Sequence, residues 1–450
     1  MSVHEIAVVI LEYNRHHYLD LILERLAEQD IDPARFRVVV VDNGSADPLR
    51  PVVDDYASKL SISYLRIETN KGRAKARNIG IEAVVEPAVL ILDGDTLPDR
   101  DLVRRHLEVL TDPSVAVSLG ARREHRVRTL TTPTLKDGLV TSFAGLHDSA
   151  QRDLRIPDIE QQVIQDNFDR IGYFFLYTHN VAVRTDVVAA AGGFNEALDG
   201  WGLEDLEFGF RIREALTNGQ VMVWSPQAGS AHIPHLRDFG GNFGELKQNQ
   251  TKLLETYRSF HWEGHQFASP LLECTRIIMA ERFAEDVRAD EVAPELPEIE
   301  QWVGELRPGD SWLLGLGRLG GWRGVPPELR SSLVDWRDRG VPSFCGTQFL
   351  QADNSLRTVV NVDVWRALPW HHVSEALAEA RRVSSQPVFV ATAAHDQRSA
   401  ALELGAGLDT AVPRYVEDAR WLTAAVRDLG LECETIQTVD AVAVRVGTSA

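Results

Sequence analysis

Strand-like and helix-like segments alternate through the first ninety residues, and this limits the fold more than any other feature. Short β-branched runs occur at Ile6–Leu11, Val38–Val41, Ile62–Ile67 and Val89–Leu92. Between the first two, Leu19, Ile22, Leu23 and Leu26 are spaced i, i+3, i+4, i+7, one face of a helix. Further helices are expected near Pro51–Leu60 and from about Arg73 to Val85. Apolar strands separated by helices predict an α/β fold whose mainly parallel sheet is covered on both faces. In such sheets ligands gather at the carboxyl ends of the strands. The polar residues following each strand are therefore the first candidates: Glu12-Tyr13-Asn14, Asp42-Asn43-Gly44-Ser45 and Asp93-Gly94-Asp95.

The chain has 450 residues, enough for two or three domains. Residues 285–304, acidic and containing prolines, read as a linker between a domain over 1–284 and a smaller α/β domain over 305–450. The second domain is expected from strand-like WLLGL, VVNVDV, VFVATA and AVAVRV alternating with helical VSEALAEARRV and VEDARWLTAAVRDLG. A net charge of −19 gives no broad footprint for nucleic acid or an anionic membrane. No apolar run approaches the ~18–20 residues of a membrane span. The start of the chain has neither the basic region nor the cleavage site of a signal peptide. Cys274, Cys345 and Cys433 lack disulfide or zinc spacing. A cytoplasmic protein is expected from these features.

The first glycine is Gly44, so no glycine loop follows the first strand. Dinucleotide-binding and P-loop folds need one there and are excluded for this domain. Asp93-Gly94-Asp95 can be an ordinary turn or a pair of carboxylates for a divalent cation. Lys71, Arg73, Lys75 and Arg77 form a basic island, either a solvated helix face or a local attraction for an anionic ligand. Trp201-Gly202 precedes Glu204, Asp205 and Glu207 at the start of a helical pattern. Acidic residues there complement the helix dipole, and a carboxylate beside a flat indole can also serve as a general base next to a sugar. His232 and His235 are either structural or candidate ligands for a transition metal. The i, i+4 pair His261 and His265 reads as a chelator or as helix surface near the domain border.

Together these segments resemble glycosyltransferase family 2, with the GT-A fold, over roughly residues 3–260. The residues carrying the likeness are VVILEYNRHHYL, VVVVDNGSAD, NKGRAKARNIGI, LDGDTLP, THNVAVRTDVVAAAGGFNE and GWGLEDLEFGFRI, in the family's order. Glu12 stands where Thr is usual in the family, and His179 where Gly is usual. The resemblance implies a donor site at Glu12, Asp42, Lys71, Arg77, Asp93, Gly94 and Asp95, with Asp42 on a uracil ring and Asp93 on the ribose. It implies Mn²⁺ or Mg²⁺ on Asp95 and His232. GWGLEDLEFGFRI is similar to the C-terminal motif of galactosyltransferases and bacterial chondroitin-type polymerases, which implies acceptor contacts from Trp201 and Glu204 and a catalytic base at Asp205. The expected activity is transfer of galactose, glucose or an N-acetylamino form from a UDP-sugar to a hydroxyl of a glycan, small molecule or peptide. The likeness to inverting members implies inversion, and single addition is expected because neither a Gln-x-x-Arg-Trp motif nor a membrane-span-like run is present. Residues 120–175, with Arg122, Arg123, Arg126 and Arg128, are expected either to form acceptor loops or to be a surface insertion.

LRPGDSWLLGLGRLGG loosely resembles the first strand and Gly-rich loop of class I methyltransferases, although Leu319 replaces a loop glycine. That resemblance implies either a degenerate domain, used for acceptor binding or a homodimer, or a second, S-adenosylmethionine-dependent activity. A non-catalytic sugar-nucleotide or glycan-binding protein is the remaining alternative.

Overall fold

The structure, a computed structural model, describes residues 4–124, 153–198, 200–217, 219–233, 239–264, 270–286, 295–315, 322, 325, 327–337, 341–393 and 419–447. The chain divides into two compact units. One comprises Met1–Glu160 with Asn167–Asn249, the other Gln161–Asp166 with Gln250–Ala450.

The first unit holds an eight-stranded sheet in the order β3-β2-β1-β4-β7-β6-β8-β5. Strands β1 (Ile6–Glu12), β2 (Phe36–Asp42), β3 (Ile62–Arg66) and β4 (Ala88–Asp93) run parallel, joined through helices α1 (His16–Ala27), α2 (Arg50–Asp54) and α3 (Arg73–Glu82). Strands β1, β2 and β4 are buried along nearly their whole length, as strands covered on both faces must be. Helix α1 buries Leu19, Ile22, Leu23 and Leu26, the stripe read from the sequence, together with Tyr18. After β5 (Thr96–Pro98) and α4 (Leu102–Leu110), β6 (Val115–Arg123) and β7 (Asn180–Arg184) extend the sheet. Strand β7 lies antiparallel to both β4 and β6, making the sheet mixed. Helices α5 (Thr185–Ala191) and α6 (Glu204–Ala215) precede β8 (Val221–His232), which runs parallel to β6. This is the α/β architecture that the strand–helix alternation predicted. The expected helix at Pro51–Leu60 is shorter, ending at Asp54.

The second unit holds six strands in the order β10-β9-β11-β12-β14-β13. Strands β9 (Ser311–Gly315), β10 (Arg330–Ser332), β11 (Thr358–Val362) and β12 (Val388–Thr392) are parallel, and β14 (Ala441–Val446) is antiparallel to β12 and to β13 (Cys433–Gln437). Its core joins Leu313, Val360, Val362, Val388, Val390 and Ala443 with Ile299 and Val303. The Gly-rich stretch 316–321 lies outside the described residues, as do Arg126, Arg128, His235 and His265.

The division falls after Asn249, not at the acidic stretch 285–304. Helix Pro270–Asp286 belongs to the second unit, where Cys274, Ile277, Ile278 and Phe283 are buried. His261 is also buried rather than on a helix surface. Its Nδ1 lies 2.8 Å from Ser259 Oγ and its Nε2 2.8 Å from Glu281 Oε1. Among the described residues no helix is long and apolar enough to cross a membrane.

Candidate active site

The carboxyl edge of β1, β2 and β4 collects three acidic residues, and each has a different environment. Asp42, at the end of β2, is fully buried. Its Oδ2 accepts from Tyr64 Oη at 2.6 Å, Arg66 Nη1 at 2.8 Å and Leu49 N at 3.2 Å, while Oδ1 accepts from Ser45 N at 2.9 Å. Burial alone would raise its pKa, but these donors, led by Tyr64 and Ser45, hold it below the ordinary aspartate value. Asp42 thus folds the Asn43–Leu49 loop, and its carboxylate is buried under these donors.

Glu12, at the end of β1, lies beside the Asp-Gly-Asp triplet because Leu11 pairs with Asp93. Glu12 Oε1 accepts from Tyr13 N at 2.8 Å, and Oε2 is buried without a hydrogen-bond partner among the described residues. A Cβ on Gly94 would stand 2.1 Å from Glu12 Oε2 and 2.7 Å from the Leu11 carbonyl, so only glycine fits there. Burial raises the Glu12 pKa well above the usual range, and the Asp95 and Asp93 charges add to it.

Asp93 joins a buried ion-pair cluster. Arg77, on α3, donates from Nη2 to Asp93 Oδ1 at 2.8 Å and from Nη1 to Glu204 Oε1 at 3.1 Å. Its guanidinium lies 5.3 Å from the centre of the Phe194 ring. Burial would lower the Arg77 pKa, but Asp93 and then Glu204 more than offset this. Both η nitrogens are spent on carboxylates, so Arg77 sets the positions of Asp93 and Glu204. Asp205 follows Glu204 in the first turn of α6 and is half-buried. Burial, then the Glu204 charge, pushes its carboxyl up to about 7. A carboxyl held there is suited to taking a proton near neutral pH.

The turn entering α6 is unusual. Gly200, Gly202 and Leu203 all have positive φ, at 81°, 98° and 71°. Leucine rarely adopts this conformation, and such strain persists where surrounding contacts impose it. Here helix α7 (Phe239–Tyr257) supplies them. Glu245 Oε2 accepts from Trp201 N at 2.7 Å, and Asn249 Nδ2 donates to Gly202 O at 2.9 Å. Trp201 is consequently held beside Glu204, partly exposed.

His232, the last residue of β8, sits opposite Thr96 of β5 and so reaches Asp95. Its Nε2 is 3.6 Å from Asp95 Oδ2, and its Nδ1 is 2.9 Å from Glu124 Oε2. Arg15 Nη1 also approaches Asp95 Oδ2, at 3.4 Å. Burial would lower the His232 pKa, but Asp95 and Glu124 raise it overall. A carboxylate and an imidazole facing each other, the imidazole oriented by a second carboxylate, fit a divalent cation. No group of three such ligands occurs among the described residues. The pair suits an ion that completes its shell with phosphate and water, as Mg²⁺ commonly does.

The structure thus joins Arg77, Asp93, Glu204 and Asp205, sets Glu12 against Gly94, and pairs Asp95 with His232. Lys71 stays apart, exposed and tied through its backbone N–H to Asn43 Oδ1 at 3.0 Å. Sequence reasoning missed Arg15, Glu124, Glu245 and Asn249. Glu124 directly follows the arginines already singled out, which was the one available signal.

Residues 7–188, nearly all in the N-terminal unit, match the family model "Glycosyl transferase family 2". Validoxylamine A glucosyltransferase of Streptomyces hygroscopicus subsp. limoneus is 31% identical over 56% of this chain and 57% of its own length. Chondroitin synthase of Pasteurella multocida is 30% identical over 46% of this chain and 23% of its own length. The chain therefore spans little more than half of the first relative and under a quarter of the second. Among solved structures, S. aureus TarS 1-349 in complex with UDP-GlcNAc covers 66% of this chain and 78% of its own, at 17% identity and a TM-score of 0.42.

Proposed function

We propose that the chain is a glycosyltransferase that moves a hexose or its N-acetylamino form from a UDP-sugar to an acceptor hydroxyl, with inversion and one addition per encounter. The observation that carries this reading is Asp205. It is a half-buried carboxyl in the first turn of α6, next to the Arg77–Glu204–Asp93 cluster and a partly exposed Trp201, in the same unit as the family 2 match. Asp205 removes the proton of the acceptor hydroxyl. The hydroxyl oxygen forms the bond to the anomeric carbon, and the bond from that carbon to the UDP oxygen breaks. Trp201 offers a flat apolar face to the acceptor ring, and Glu204, fixed by Arg77, accepts from an acceptor hydroxyl. Mn²⁺ or Mg²⁺ on Asp95 and His232 would, when bound, supply positive charge against the diphosphate.

The test is UDP release from a panel of UDP-sugars, with Mn²⁺, with Mg²⁺ and with chelator, followed by assignment of the product's anomeric configuration. Release that needs a divalent ion and gives an inverted product supports the reading. UDP binding without release under any condition would replace it with a non-catalytic sugar-nucleotide-binding function.

A further inference from the structure

His179 lies just before β7, outside every role assigned above. Strand β7 pairs with β4 such that Asn180 stands opposite Leu92, and the next pair in that register sets His179 beside Asp93. The ring is buried, at 2% exposure. Its backbone position is fixed by its neighbour: Asn180 Oδ1 is 2.8 Å from His106 Nε2, and Asn180 Nδ2 donates to the Ala121 and Ala228 carbonyls at 3.0 and 2.9 Å.

The tautomer of His179 follows from one contact. Its Nε2 is 3.3 Å from Arg155 Nη2. Nη2 directs its two hydrogens to the Gly120 carbonyl at 2.7 Å and Asp153 Oδ2 at 2.6 Å, so its approach to Nε2 is a third, weaker contact; a ring N–H on Nε2 would face a cation that only donates, which favours the proton on Nδ1. Arg155 is not free to turn away. It donates to Asp153, to the Phe175 carbonyl at 2.6 Å and to the Gly120 carbonyl at 2.7 Å, and it stacks 4.6 Å from the centre of the Trp224 ring. The Nδ1–H donor is buried and has no partner among the described residues. Such groups are rare in native proteins, and each calls for an explanation. Thr178, its neighbour in the chain, donates from Oγ1 to Asp93 Oδ1 at 3.5 Å, which together with the register sets this segment against the Asp93-Gly94-Asp95 triplet. Burial first, then Arg122 and Arg155, keep the imidazole neutral.

We propose that His179 is a donor-recognition residue whose Nδ1–H hydrogen-bonds an oxygen of the sugar nucleotide beside the Asp95–His232 pair. This rests on the glycosyltransferase reading. The oxygen can come from the diphosphate or from a sugar hydroxyl, and comparing UDP with UDP-sugar separates these sources.

The test measures calorimetric affinity for UDP and for the UDP-sugar selected by UDP release, in Mn²⁺, for the full chain and for H179A, H179N and H179Q. Thermal unfolding of each variant is followed in parallel. H179A should bind the UDP-sugar ~10–100-fold more weakly. H179N, whose amide nitrogen can occupy the Nδ1 position, should recover most of that loss, and H179Q, which places its nitrogen near Nε2, should not. An equal loss for UDP assigns the diphosphate, and a loss confined to the UDP-sugar assigns a hydroxyl. If H179A does not fold, the difference between H179N and H179Q still decides. Equal affinity in the wild type and H179A, or equal behaviour of H179N and H179Q, overturns the inference while the transferase reading stands. A wild-type chain that binds no UDP-sugar overturns both.

Discussion

Replacing Arg77 with methionine tests whether the Arg77 cluster holds the site together. The side chain is 3% exposed and bridges Asp93 and Glu204, whose side chains are 29% and 5% exposed. Methionine keeps most of the apolar stem but removes the cation that bridges the two carboxylates, leaving only the half-exposed Arg73 at 4.0 Å from Glu204. Removing one partner of a buried ion pair typically costs ~3–5 kcal/mol, because the remaining charge stays buried. At 1.36 kcal/mol per factor of ten, that is roughly a 10²–10⁴-fold increase in local opening. Hydrogen–deuterium exchange by mass spectrometry reads this quantity segment by segment. Protection should collapse in β4 (88–93) and at the start of α6 (204–208), whereas β11 (358–362) in the second unit serves as an internal control. Neutralising the carboxylates in R77M/D93N/E204Q should restore most of the protection, since the penalty arises from the orphaned charges. Loss of less than ~tenfold protection in R77M, or no recovery in the triple variant, would refute the clamp.

The remaining predictions concern single residues. Asp205→Asn should lower the transfer rate ~10²–10⁴-fold and leave donor affinity unchanged, measured by single-turnover kinetics and calorimetry. The wild-type rate should climb as pH rises through about 7, where Asp205 becomes a carboxylate, and level off above; Glu204→Gln should move that limb to lower pH by removing one of the charges that raise it. Because the folded-state pKa of Asp205 is raised, its contribution to stability is fully present below the ordinary aspartate value and lost as pH rises through about 7. Asp205→Asn should therefore melt higher than wild type at pH 8 and equally at pH 4. Tyr64→Phe removes a hydrogen bond to the buried Asp42 carboxylate and should cost ~1–3 kcal/mol in denaturant titrations at pH 7. The Asp42 pKa is depressed, so that cost should shrink as pH falls through its folded value and the carboxylate protonates. Gly94→Ala, with its Cβ pressed on Glu12 Oε2 and the Leu11 carbonyl, should cost ~1–3 kcal/mol, and shrinking Glu12 to Ala in the same chain should relieve only part of it, because the Leu11 contact is backbone.

Much of the first unit was readable in advance for a simple physical reason. Strands buried on both faces must be apolar throughout, and helices packed on one side must show a stripe, so β1, β2, β4 and α1 announce themselves locally. The edge that carries the chemistry follows from their direction. What is not local was not readable. Arg77 meets Glu204 across 127 residues, and Glu124 orients His232 across 108. The division of the units and the change in composition fall at different places for a related reason. An acidic, proline-containing stretch marks exposed chain, but the helix Pro270–Asp286 ahead of it belongs with whichever core buries Ile277 and Phe283, and composition does not reveal which.

The basic island at 71–77 shows how the same residues change meaning once folded. In sequence it is four cations on a chain of net charge −19, an apparent answer to how an anionic donor is attracted. In the structure the four do not act together. Arg77 turns inward and is consumed by two carboxylates. Lys75 pairs with Glu196 at 3.0 Å on the surface. Arg73, half-exposed, stands 4.0 Å from Glu204, and Lys71 points to solvent. Against them the strand edge gathers Glu12, Asp93, Asp95, Glu204 and Asp205. Arg77 offsets Asp93 and Glu204, and burial raises the Glu12 and Asp205 carboxyls, so the charge facing a diphosphate rests chiefly on Asp95, which Arg15 approaches at 3.4 Å. On the proposed reading a cation at Asp95 and His232 would add the missing positive charge, and the chelation arm of the UDP-release assay measures that contribution.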